Sequence, residues 1–62
     1  MRFVTFTNTN GNQVHINLNH IVSIYEFSTS VTKIKTSSGD EINVQLHFST
    51  VLQKVQAEAK LM

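Results

Sequence analysis

The sequence predicts an α+β fold: a five-stranded antiparallel β-meander with a C-terminal α-helix packed on one face. Three observations lead there. Apolar and polar residues alternate through roughly the first three quarters of the chain, the period of a half-buried strand. Two clusters of turn residues, "NGN" at Asn10 to Asn12 and "SSGD" at Ser37 to Asp40, interrupt that alternation. From Phe48 onward the apolar period lengthens to that of a helix, and "FSTVLQKVQAEAKLM" contains neither Gly nor Pro.

Each element follows from its own residues. In "RFVTFTNT" Val4 and Phe6 share one face, and the β-branched and aromatic content predicts a strand over about 2–8. Asn10-Gly11 is a strong hairpin signal, because both residues tolerate the positive φ of a type I′ turn. The returning strand, over about 13–18, turns Val14, Ile16 and Leu18 one way and His15 and Asn17 the other. After an Asn19-His20 corner, "IVSIYEF" predicts a third strand over about 21–27, with Val22 and Ile24 on one face and Tyr25 and Phe27 on the other.

A polar turn at Ser28 to Ser30 leads into "VTKIKT", a fourth strand over about 31–36. The fifth, "EINVQL" over about 41–46, puts Ile42, Val44 and Leu46 together. The helix is expected over about 48–60, with Phe48, Val51, Leu52, Val55 and Ala59 as its apolar stripe and Ser49, Thr50 or His47 at its start. The two hairpins echo each other as "NGNQVHINL" and "SGDEINVQL", which is read as shared hairpin chemistry rather than as an internal repeat.

The chain has 62 residues and no cysteine. It reads as one domain, 1–62, near the lower size limit of independent folding, where only about 60% of the unfolded surface is buried. Without disulfides or thiolate metal sites, oligomerisation is the favoured means of adding stability. A homo-oligomer, dimer or higher, is the expected state. Five basic against four acidic residues give a formal charge of +1, so no strong electrostatic footprint for nucleic acid or acidic lipid is present. No apolar run reaches the roughly 20 residues of a membrane span, and no secretory leader pattern opens the chain; a cytoplasmic protein is expected, with no membrane partner.

Candidates for chemistry are few. His15, His20 and His47 lack the strand or helix spacing that brings two imidazoles to one ion, so no metal site is assigned. Asp40 and Glu41 face opposite ways, no Gly-x-Ser-x-Gly turn occurs, and Gly11 and Gly39 stand too far apart for a phosphate loop. No catalytic residue and no cofactor are assigned, and an enzyme is not expected. One helix covers only part of a five-stranded sheet, which leaves Phe3, Tyr25 and Phe27 as candidate interface residues. Lys33 and Lys35 flank Ile34 beside them, so the same face, Phe3, Tyr25, Phe27, Lys33 and Lys35, is also a candidate nucleic-acid surface.

The succession "FTNTNGNQVHIN", "HIVSIYE", "TKIKTSSGDEINVQ" and "FSTVLQKV" resembles, over nearly the full length, small flagellar proteins of the FlbD or SwrD type. The shared features are the Asn-Gly hairpin, Ile-x-x-Ile-x-Glu, a strand leading to a Gly turn, and the terminal helix. That resemblance implies a non-enzymatic accessory role in motility. From about His20 to Val55 the chain also looks like the front half of LytTR-type DNA-binding domains, and its order of elements is similar to single-stranded DNA-binding coactivator domains. The leading expectation is a small oligomeric protein–protein interaction module, accessory or regulatory. The alternative is a nucleic-acid-binding transcriptional regulator.

Overall fold

The computed structural model describes residues 2–60. Five strands and one helix appear in the expected order: β1 (Phe3–Thr7), β2 (Gln13–Asn17), β3 (Ile21–Glu26), β4 (Thr32–Thr36), β5 (Glu41–Val44) and α1 (Phe48–Lys60). The class is α+β, with every strand pair antiparallel. The meander does not run as one sheet. Asn17 to Ile21 is a 3₁₀ turn over Leu18–His20, closed by the Ile21 N–H on the Leu18 carbonyl, and it carries the chain away from β2 before β3 starts. β1 and β2 therefore form a two-stranded sheet and β3, β4 and β5 a three-stranded one.

The two sheets are joined where the end of β1 meets the end of β5. Asn8 bridges Val44, the Thr9 N–H donates to the Asn43 carbonyl at 3.2 Å, and the Gln45 N–H donates to the Thr7 carbonyl at 3.1 Å. Pairing thus runs β2, β1, β5, β4, β3, with β2 and β3 as the open edges. The helix packs on β1 and β3 and so bridges the two sheets.

Val4 and Phe6 from β1, Ile16 from β2, Ile34 from β4, Val44 from β5 and Val51 from α1 are buried, and β3 adds Ile21 and Ile24, half-buried against them. The period-two reading of β1, β2 and β5 holds, since Val14, Leu18, Ile42 and Leu46 pack against this cluster. The helix stripe is narrower than expected. Val51 is buried and Val55 packs on the core, whereas Phe48 and Leu52 are half-buried and Ala59 is exposed. The Val51 N–H donates to the His47 carbonyl, placing His47 at the helix entrance. At the other end the Arg2 guanidinium donates through Nη1 to the carbonyls of Glu58 at 2.8 Å and Ala59 at 3.3 Å, a cation on the orphan acceptors of a helix C-terminus.

The first turn is not type I′. That turn needs positive φ at both central residues, and among the described residues no non-glycine residue has positive φ. Instead the Gly11 N–H donates to the Asn8 carbonyl, the Asn8 N–H donates to the Asn12 carbonyl, and Gly11 at φ 85° takes the left-handed position. This is a type I turn followed by a glycine bulge, the usual three-residue hairpin loop. The second hairpin repeats it: the Gly39 N–H donates to the Thr36 carbonyl, the Thr36 N–H donates to the Asp40 carbonyl, and Gly39 lies at φ 94°.

Candidate functional site

The site grows out of β3 and its pairing with β4 and β5. Tyr25 stands opposite Lys33, which stands opposite Asn43; Ser23 stands opposite Lys35, which stands opposite Glu41. Alternation therefore brings Tyr25, Lys33, Lys35 and Glu41 to one outer face of the sheet. Phe27 lies one residue past the end of β3, where its N–H still donates to the Val31 carbonyl at 3.1 Å.

These side chains touch. Lys33 Nζ sits 3.5 Å from Glu41 Oε1 and 4.8 Å from the centre of the Phe27 ring. The Tyr25 hydroxyl donates to Glu41 Oε2 at 3.5 Å. Glu41 thus holds both the phenol and the ammonium, and Lys33 in turn lies over Phe27, a favourable placement for a cation on an aromatic face. Lys35 is exposed on the same face and forms no ion pair among the described residues.

Four of the five residues singled out from the sequence are brought to this face. Phe3 is not. It lies on β1 in the other sheet, half-buried, with its ring stacked on His15 at 4.5 Å between centroids and 4° between planes. Two members of the site escape sequence reasoning. Glu41 reads as a solvated strand position, and only the register reveals it between Tyr25 and Lys33. Val22 is expected to share the inward face of Ile24, yet it is 64% exposed. The cause is a register shift between Ile21 and Ser23, which face Thr36 and Lys35 and leave Val22 as an extra residue. Nothing in "IVSIYEF" signals that shift.

The outcome is a patch with a distinct composition. The large hydrophobic side chains exposed among the described residues are Val22, Tyr25 at 40% and Phe27 at 63%, all within one six-residue stretch of the chain. Their neighbour Lys33 already has a carboxylate partner.

Elsewhere, a cleft of about 500 Å³ is lined by Thr5, Thr7, Gln13, Gln45, Leu46 and Lys54. Its single cation, Lys54, is occupied by the Thr5 carbonyl at 3.3 Å and lies 5.2 Å from the centre of the Phe6 ring. His15 Nδ1 is 2.9 Å from Thr5 Oγ1, His20 lies in the 3₁₀ turn and His47 precedes the helix. No group of three or more potential metal ligands gathers among the described residues, and no helix there is long and apolar enough to cross a membrane. No family model, no curated protein and no solved structure matches the chain.

Proposed function

We propose that this chain is a small, non-enzymatic protein–protein interaction module that self-associates through β3 and the residues beside it. The observation that carries the reading is the concentration of exposed apolar side chains, Val22, Tyr25 and Phe27, on one stretch of chain. Exposed apolar patches with polar rims mark contact surfaces. The rim here is supplied by Glu41, Lys33 and Lys35. An accessory role in motility, by similarity to the FlbD and SwrD type, is consistent with a module whose work is contact rather than chemistry.

A nucleic-acid reading draws on Lys35, a cation with no ion pair among the described residues, on the same face as an exposed tyrosine. It is weakened by Glu41, which neutralises Lys33 and would stand against a phosphate backbone. Sedimentation velocity at micromolar concentration tests the primary reading. An oligomer is expected, and a Phe27→Ser/Tyr25→Ser variant with an unchanged circular dichroism spectrum should sediment as a monomer. A wild-type chain that stays monomeric removes self-association. Fluorescence anisotropy with single- and double-stranded oligonucleotides across a salt series tests the second: binding whose logarithm falls with log salt, and which is lost in Lys35→Glu, would support it.

A further inference from the structure

Resting on the protein-contact reading, we propose a specific partner and geometry: β3 pairs antiparallel with β3 of a second copy, about a two-fold axis at Ile24, merging two three-stranded sheets into one. The backbone carries the first part of this. In an antiparallel pair, residues alternate between turning both main-chain groups toward the partner and turning both away. The Phe27 N–H bonds the Val31 carbonyl, so Tyr25 and Ser23, opposite Lys33 and Lys35, also turn toward β4. The N–H and carbonyl groups of Ile24 and Glu26 therefore face the open side of β3, where no strand pairs with them among the described residues. An extended strand can take up such a row in place of water. Natural edges discourage this with Lys, Pro, bulges or cover. β3, "IVSIYE", has neither Lys nor Pro, and its one irregularity, at Val22, lies near its start.

The choice of strand follows from comparing the two open edges. On β2, Gln13, His15 and Asn17 are committed at home: Gln13 donates to Thr7, His15 bonds Thr5 and stacks on Phe3, and Asn17 accepts from the Asn19 N–H. Docking β2 on β3 would bury polar groups, and it would join unlike edges head to tail, a contact that ends only if successive copies close into a ring and otherwise propagates as a filament. Docking β3 on β3 consumes the apolar edge on both copies and closes.

The register is set by charge and size. An axis at Ile24 places Ile24 opposite its own counterpart and Ser23 opposite Tyr25 of the second copy, and the ladder ends where the register shift at Val22 breaks the alternation. The two Glu26 carboxylates lie at opposite ends of the pair, and each tyrosine ring covers a serine.

The absence of cysteine makes the test direct. Ser23→Cys and Tyr25→Cys chains, mixed and mildly oxidised, should give a cross-linked heterodimer in high yield, because facing residues in such a pair lie within disulfide reach. Either variant alone should give little. Glu26→Pro places a ring on the open edge without removing a β4 hydrogen bond, and should sediment as a monomer with native circular dichroism. A wild-type monomer overturns both the pairing and the self-association reading. An oligomer that survives Glu26→Pro but is lost in Phe27→Ser overturns the pairing alone. Oligomers that grow with concentration past the dimer overturn the two-fold. Should Glu26→Pro fail to fold, the cross-linking decides, and cross-links no more frequent in the mixture than in either variant alone overturn the proposal.

Discussion

The hairpin of β1 and β2 and the hairpin of β4 and β5 are nearly the same object. Gly11 corresponds to Gly39, Phe6 to Ile34, Ile16 to Val44, Val14 to Ile42 and Leu18 to Leu46, and the members of each pair have the same burial. Both loops are closed by the same two backbone bonds around a left-handed glycine. The echo between "NGNQVHINL" and "SGDEINVQL" is thus a structural repeat of one hairpin. What differs is the outer face and what lies beside it. The first hairpin has no Lys, Arg, Asp or Glu and is satisfied internally, through Thr5 with His15 and Gln13 with Thr7. The second carries Lys33, Lys35 and Glu41, and β3 is added to its flank with Tyr25 and Phe27. The same framework therefore serves once as support and once as the base of an exposed face.

The largest expected effect tests whether the two hairpins unfold as one. Phe6→Ala should cost about 3–5 kcal/mol and Ile34→Ala about 2–5 kcal/mol, since both leave cavities in the shared core. Urea unfolding followed by far-ultraviolet circular dichroism should show one transition for each; two separate transitions would mean that the hairpins are independent. Next comes the helix that covers both sheets. Val51→Ala should cost about 2 kcal/mol, and Leu52→Ala, expected from sequence to remove a core residue, should cost less than Val51→Ala because Leu52 is only half-buried. Thermal midpoints in the reverse order would contradict the helix orientation.

The loops sharpen the comparison further. Gly11→Ala and Gly39→Ala should each cost about 1–2 kcal/mol, the strain of a left-handed non-glycine residue. Space is not the limit, since an added Cβ meets nothing within 4 Å at either position. Equal losses in chemical denaturation would show that the loops are equivalent in energy as well as in form. Smallest of all, Glu41→Gln should change stability by about 1 kcal/mol or less, since the carboxylate is open to solvent although Lys33 is half-buried. It should nevertheless shift the nuclear magnetic resonance signals of Tyr25 and Phe27, and unperturbed rings would separate the carboxylate from that face.

Most of the elements are legible in the sequence because each strand buries one face, and burial imposes a period of two that survives in the residue order. Val4, Phe6, Ile16 and Val44 are read correctly for that reason. Pairing between strands distant in sequence leaves no such trace. The junction of β1 with β5 through Asn8 and Val44 is made by backbone groups, which every residue carries. The bulge at Val22 is equally silent, since one extra residue changes direction without changing composition. Of the candidate face, Tyr25, Phe27, Lys33 and Lys35 are legible as leftovers of alternation, while Phe3 is misplaced. Its stacking on His15 depends on the cross-strand register of the first hairpin.

The contact between Arg2 and the Glu58 carbonyl joins positions 56 residues apart. Each hairpin closes over a short loop, on the microsecond scale of such events. The clasp of Arg2 on the helix end closes nearly the whole chain, with the slower search that distant contacts impose. During synthesis β1 emerges early and must wait for α1 before that clasp can form. Until then the first hairpin lacks the helix that packs on β1, and the side of Val4 and Phe6 that later meets α1 stays open to solvent. The clasp thus forms only once α1 has been made.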